Sequence, residues 1–337
     1  MKRYDERDTM FARMTYEKGK LNYEDYYRRN PDKKALDDKL RDSPGICSEE
    51  TPTYDPIDAN LVISNFKFLS DIRPFAEGEV SSKKVKVDAD SITKKLKEIA
   101  LNAGANLVGV AEAKPYHYYS YRGRPLKHYG EKVTTILPYA VVFGVKMKRE
   151  NIDQAPLLPE VMESSDTYVK AAIIGMQLAY FIRQLGYNAR NHMDGNYLVV
   201  LPTLARDAGL GEIGRNGLLI SKKYGPAVRL GAVTTDMPLK PDERLNLDVA
   251  SFCDICNMCS SKCPMQAIPK GKREIIEEEL RWRINQEKCY SFWRRIGTDC
   301  GLCIKNCPFG QGIDIMDLKK YSPNELMEKF KSTNEAI

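Results

Sequence analysis

Two stretches decide the reading: Phe252–Pro264, FCDICNMCSSKCP, and Cys289–Pro308, CYSFWRRIGTDCGLCIKNCP. The first carries Cys253, Cys256, Cys259 and Cys263, and the second Cys289, Cys300, Cys303 and Cys307. In each, the last cysteine follows a three-residue gap and precedes a proline. Two-residue gaps let consecutive thiolates take successive corners of one cubane, while the cysteine before proline is carried to the neighbouring cluster. The expected pairing is crossed: Cys253, Cys256, Cys259 and Cys307 on one 4Fe–4S cluster, Cys289, Cys300, Cys303 and Cys263 on a second. Two structural zinc sites of four thiolates each are the alternative, but zinc modules present separated C-x2-C knuckles rather than a triple ending in Cys-Pro. A module of this kind is ferredoxin-like. It makes a wire for single electrons and does not by itself bind a substrate.

The rest of the 337-residue chain must supply the site. Hydrophobic residues make up 42% and charged residues 29%, enough to bury a core and unlike a disordered tail. A net charge of +6 is too small to argue nucleic-acid binding. No apolar run reaches the roughly 18 residues of a membrane span, and MKRYDERDTMFARM lacks a signal peptide's apolar core. Arg28–Arg29 is followed by Asn30 and Pro31, which makes no export signal. The expectation is a cytoplasmic protein, where disulfides are disfavoured and Cys47 is a spare thiol.

Residues 1–84 lack periodicity and read as an extended arm. In residues 85–245, helix and strand patterns alternate as in an α/β sandwich. Ser91 can cap a helix bearing Ile92, Leu96, Ile99 and Ala103, and Gly104 stops it. Asn106–Ala111, Tyr139–Val145, Tyr197–Leu201 and Val228–Thr234 read as strands. Thr167–Leu185 reads as a central helix closed by Gly186. Residues 246–312 form the cysteine module, with a charged helix over 274–286, and residues 313–337 a polar tail.

GLGEIG at Gly209–Gly214 matches G-x-G-x-x-G, but Pro202 and TLARDA intervene between it and the preceding strand, against a dinucleotide site. A glycine-rich loop approaching a large planar cofactor fits better. The histidines, His117, His128 and His192, read as surface or pocket-lining residues. Pro115–Gly130, PYHYYSYRGRPLKHYG, interleaves tyrosine with cations, as in RNA grips, though a pocket lid is the commoner use.

Cysteine spacing, GLGEIGRNGLLISKKYGPAVR, FIRQLGYNAR and AGANLVGVA together resemble the reductive dehalogenases over residues 85–310. That resemblance implies a nitroreductase-like α/β (α+β) domain holding a base-off corrinoid, cobalamin, beside the inner of two 4Fe–4S clusters. It implies two-electron replacement of a carbon-bound halogen by hydrogen on a small organohalide or other small electrophile. The donor would be a reduced ferredoxin or flavodoxin-like protein. It places the corrinoid at the Gly209, Gly211, Gly214, Arg215 and Asn216 block, and carries the catalytic tyrosine and arginine onto Tyr168 and Arg229. Tyr168 would donate the proton from the first turn of its helix, with a neighbouring cation lowering its pKa. A buried Arg229 in VRLGAV needs an anionic partner. Asn196 or Asp194 could occupy a third pocket position, and Asn196 is the choice. No D-x-H-x-x-G advertises a lower cobalt ligand. The alternatives are an epoxyqueuosine reductase-like enzyme acting on tRNA, weakened by the lack of a C-terminal helical-repeat domain, and a non-catalytic electron carrier.

Overall fold

The structure, a computed structural model, describes residues 2–334. Strands β1 (Leu107–Glu112), β2 (Tyr139–Lys146), β3 (Ala189–His192) and β6 (Val228–Thr235) form one antiparallel sheet in the order β1-β2-β6-β3. Between β3 and β6 the chain makes a separate hairpin of β4 (Gly211–Ile213) and β5 (Leu219–Ser221). Helices α1 (Met10–Arg13), α2 (Leu21–Arg29), α3 (Lys34–Asp42) and α4 (Pro56–Ile72) precede the sheet. Interleaved with it are α5 (Ala89–Asn102), α6 (Arg149–Ile152), α7 (Leu158–Gln184) and α8 (Leu201–Asp207). Strand β2, YAVVFGVK, is apolar almost throughout because both faces of the sheet are covered. Val141, Phe143 and Val145 pack with Leu96 of α5 and Ile174 and Leu178 of α7. Ala140 and Val142 pack on the opposite side with Leu204 and Ala205 of α8.

Several elements differ from the sequence expectations. The first 84 residues are not extended but largely helical. Around α1 and α2 the apolar surface is tyrosine rather than aliphatic, with Tyr16, Tyr23, Tyr26 and Tyr27 packed against Tyr129, so hydrophobic periodicity does not reveal it, whereas α4 buries Ala59, Val62 and Leu69. Arg13 pairs inside this layer with Asp37 at 2.6 Å and with Glu287 at 2.9 Å. Asp88, not Ser91, caps α5, accepting from Ser91 N at 2.9 Å.

The expected strand Tyr197–Leu201 is absent apart from one bridge, Tyr118 to Val199. The sheet edge is instead the polar ARNH of β3, buried at every position. Its side chains pair internally: Asn191 Nδ2 donates to Ala172 O (3.1 Å), and His192 Nε2 donates to Thr234 Oγ1 (2.9 Å). Leu198 N–H donates to His192 Nδ1 at 3.2 Å, which fixes the neutral tautomer.

Beyond residue 246 the chain forms α9 (Val249–Cys256), α10 (Met258–Ser261), the β7–β8 hairpin (Glu274–Ile276, Glu279–Arg281), α11 (Gln286–Ile296), α12 (Leu302–Lys305) and α13 (Pro323–Asn334). The charged helix expected over 274–286 is this hairpin. Glu277 and Glu278 both have positive φ, as a two-residue I′ turn requires. The last residues are not merely a polar tail either, because Leu326 and Met327 of α13 pack with Val249 and Phe252 of α9. Residues 335–337 of that expected tail lie outside the described residues.

Helix α7 begins at Leu158, nine residues before the expected start, and ends at Gln184, with the chain turning away at Gly186, where φ is 84°. It can lie close to β3 because Gly175 has no Cβ; one built there would sit 2.0 Å from Asn191 Oδ1. Gly175→Ala is expected to destabilise the fold by about 1–3 kcal/mol, the cost of overpacking a filled interior. Thermal and denaturant unfolding measure it, and an unchanged midpoint would contradict this packing.

Candidate active site and cluster module

Both cysteine-rich stretches fold onto short helices whose backbones turn through positive φ at Asn257, Cys300 and Gly301. Cys253, Cys256, Cys259 and Cys307 line one small cavity together with Asn216 and Phe309. Burial, then the neighbouring Cys253, push the Cys307 thiol well above its ordinary pKa. Burial, then Cys263, push Cys289 up to about 11. Burial, then Cys289, push Cys300 up to about 12. Thus Cys307 sits with the first stretch and Cys263 with the second. Buried thiols so unfavourable to ionise suit a bound iron centre, which would hold them as thiolates.

Arg215, expected at a corrinoid, is spent here. Its guanidinium donates to the carbonyls of Cys253, Pro269 and Gly271 at 2.8–3.0 Å and lies 4.3 Å from the Trp282 ring centre. Of the glycine block, Gly209 packs on Glu243 and Gly211 on Ile220, where a Cβ would meet carbonyl oxygens within 2.5 Å. The block forms the β4–β5 hairpin rather than an open loop. Gly214 alone of these three lines a cavity, one of about 440 Å³ shared with Glu212, Arg206 and Trp282.

The second group meets the α/β body at one junction. Arg229, second residue of β6, keeps 15% of its side chain exposed and forms an ion pair with Asp299 at 3.0 Å. The same nitrogen donates to Ser164 Oγ on α7. Asp299 immediately precedes Cys300, so a cluster-binding loop and the sheet share one charge pair. The guanidinium carbon of Arg229 lies 4.9 Å from the centre of the Tyr168 ring. Tyr168 is ten residues past Leu158, well inside α7 and not in its first turn. Burial raises the Tyr168 pKa, and Arg229 offsets only part of that rise. The net shift is therefore opposite to the expected lowering. Burial, then the Asp299 charge, hold Glu160 well above the usual carboxylate range. Glu160 abuts Gly301, which leaves no room for a Cβ.

Tyr168, Asp194, Asn196 and Asp299 line a cavity of about 850 Å³, so the alternative positions Asn196 and Asp194 both reach it. Asn196 Oδ1 accepts from Arg190 Nη2 at 2.7 Å. Tyr197, Phe66, Tyr290 and Trp293 supply apolar wall. Two histidines are not at the surface: His117 and His192 are fully buried, and Lys114 N and Asp207 hold His117 at 3.0 and 3.1 Å. His128 lines the cavity and faces Glu131 at 2.9 Å. Sequence reasoning missed Asp299, Ser164, Glu160 and Arg190. Asp299 carried a signal, an acid directly before a cysteine of the second stretch; no motif or spacing marks the other three.

Residues 252–311 match the family described as 4Fe-4S dicluster domain. The chain is 35% identical over 179 residues to the tetrachloroethene reductive dehalogenase of Sulfurospirillum multivorans, a segment that is 51% of this chain and 35% of that protein. A match to the epoxyqueuosine reductase of Lactococcus garvieae, 29% identical over 133 residues, covers 38% of this chain and 36% of that protein. A solved catabolic reductive dehalogenase superimposes with a TM-score of 0.75 at 20% identity, covering 100% of this chain and 46% of that chain. The chain spans less than half the length of these relatives. It carries a 4Fe–4S dicluster domain and the reductive dehalogenase fold, and it has a family relationship to those oxidoreductases.

Crossed ligation has a direct test. Cys307→Ala should impair the cluster of the first stretch and Cys263→Ala that of the second, each leaving the other assembled, as read by electron paramagnetic resonance. Cys263→Ala disturbing the Cys253 cluster instead would overturn the pairing.

Proposed function

We propose that the chain acts as a corrinoid- and iron–sulfur-dependent reductive dehalogenase, replacing a carbon-bound halogen by hydrogen with two electrons and one proton and releasing halide. The observation that carries this is the junction just described: a tyrosine under an arginine, on the wall of a large cavity, tied by Asp299 to a cysteine loop. The cavity exceeds what a small organohalide fills and lies at the upper end of ligand-site volumes, which leaves room for a cofactor beside the substrate. Its floor would be the nitroreductase-like sheet and its helices. A corrinoid bound there would supply the two-electron reductant at the carbon–halogen bond.

The polypeptide's own part is the proton. Removing halide with two electrons leaves carbanion character on carbon, and the Tyr168 hydroxyl would neutralise it. Its raised pKa keeps the proton in place at neutral pH. Arg229, held by Ser164 and Asp299, would stabilise the phenolate that forms. Asn196 would contact the substrate from the opposite wall. Electrons would enter through the first cluster from a reduced ferredoxin or flavodoxin-like donor and leave from the second. Base-off binding agrees with the histidines: His117 and His192 are committed to hydrogen bonds and His128 to Glu131.

Protein reconstituted anaerobically with iron, sulfide and cobalamin should release halide from an aryl or alkenyl halide under reduced viologen. Tyr168→Phe should keep clusters and corrinoid but lose about 10²-fold or more in turnover. Arg229→Met should also slow turnover, by less than an independent addition to the Tyr168→Phe loss. Near wild-type rates in Tyr168→Phe would end the assignment of the acid. Retarded migration of tRNA without halide release would point to the tRNA-modifying relatives instead.

The pH profile is a separate check. A general acid works while protonated and is lost as pH rises through its pKa. Because that pKa is raised, turnover should not decline through Tyr168 until above the ordinary tyrosine value of about 10. A Tyr168-dependent fall near pH 8 would contradict the burial argument.

A further inference from the structure

Arg215 is only 2% exposed, and every hydrogen bond it donates goes to a backbone carbonyl: Cys253, Pro269 and Gly271 at 2.8–3.0 Å and Asp254 at 3.4 Å. The Asp254 carboxylate pairs with Arg273 instead, at 3.0 Å. Among the described residues no acid forms an ion pair with Arg215. The comparably buried Arg13 shows the usual arrangement, held by Asp37 and Glu287 at 2.6 and 2.9 Å. Carbonyl dipoles and the face of the Trp282 ring, 4.3 Å away, satisfy the Arg215 donors without cancelling its charge. A buried charge that lacks a counter-charge is costly. The missing anion has an obvious place, because Arg215 lines the same small cavity as Cys253, Cys256, Cys259 and Cys307. Four thiolates make an iron–sulfur centre held there anionic, and the net charge around such a centre is one of the factors that set its potential.

We propose that Arg215 is the counter-charge of the first cluster and favours its reduced form, placing its reduction potential above that of the second. One electron leaves the reduced donor protein and enters the cluster. The negative charge added there is offset by a guanidinium that neither gains nor loses a proton. At the second group the nearest charges already cancel, since Asp299, directly before Cys300, pairs with Arg229 at 3.0 Å. Lys305 is half-buried and turns its ammonium to Ala155 O at 3.2 Å. The first cluster would then hold one electron until another arrives, the store that a two-electron reaction needs when electrons come singly. The proposal rests on the dicluster module and goes beyond the halide chemistry.

Redox titration of the reconstituted protein, followed by electron paramagnetic resonance, measures both potentials. Cys289→Ala, a change in the second group whichever way the pairing runs, identifies the step that belongs to each cluster. Wild type should reduce the first cluster before the second. Arg215→Gln removes the charge and should lower the first potential by about 59 mV or more, a tenfold shift of a one-electron equilibrium, with the second unmoved. Arg215→Lys keeps the charge, loses the planar fork, and should recover most of that shift.

A role confined to bracing the loops predicts another result: less iron and a lower unfolding midpoint in both variants, with an unchanged potential in the cluster that remains. That result would overturn the proposal, as would equal shifts in the Gln and Lys variants. If Arg215→Gln assembles no first cluster, the wild-type order and Arg215→Lys decide. A first cluster whose potential lies at or below that of the second overturns the proposal alone. Wild-type protein with no reducible iron centre would sink the cluster reading itself.

Discussion

A cation withdrawn from water must find its partners inside the fold, and for Arg229 those partners come from two separate parts of the chain, helix α7 and the loop before Cys300. Ser164 comes from α7, Asp299 from the loop before Cys300, and the Tyr168 ring lies alongside. Losing Asp299 would leave a mostly buried guanidinium without its carboxylate, a penalty of about 3–5 kcal/mol for a broken buried pair. The position of the second cysteine group relative to the sheet is therefore set by electrostatics as much as by apolar contact. Tyr168 and the second cysteine group become neighbours through one ion pair.

Further polar ties hold the same interface. Thr298 Oγ1 donates to Pro156 O at 2.7 Å, Lys305 Nζ to Ala155 O at 3.2 Å, and Arg149 to the carbonyls of Lys305 and Gly310 at 3.0 Å. Arg149 satisfies carbonyls that the short helices of the cysteine module leave open, and Thr298 and Lys305 satisfy carbonyls of the body just before α7. On the far side, Arg215 does the same for Cys253, Pro269 and Gly271. The glycine and arginine block singled out in the sequence thus braces the cluster module, and the cavity walls come from elsewhere.

The legibility of this chain follows the kind of force that builds each part. Cysteine spacing is a covalent-scale constraint, so the dicluster module could be read directly from the letters. Strands β1, β2 and β6 and helix α7 were legible because apolar burial writes a pattern. Strand β3 was not: Arg190, Asn191 and His192 are buried by pairing rather than hydrophobicity, and a pattern of apolar residues points instead to Tyr197–Leu201. The β7–β8 hairpin was hidden because glutamates occupy its left-handed turn, where glycine or asparagine would have signalled it. Of the site, Tyr168 and Arg229 came from resemblance. Their support, Ser164, Asp299 and Glu160, depends on tertiary proximity across more than 60 residues and leaves little trace in local sequence.

The central claim is that the chain unites two 4Fe–4S clusters with a corrinoid cavity. Its most direct test is the absorption spectrum, with iron and cobalt counts, of protein reconstituted anaerobically with cobalamin. The account predicts about eight irons and one tightly held cobalt per chain, the number set by two four-iron centres, with superimposed cluster and corrinoid absorption. Stoichiometric zinc without a chromophore, or full iron with no retained cobalt, would contradict it.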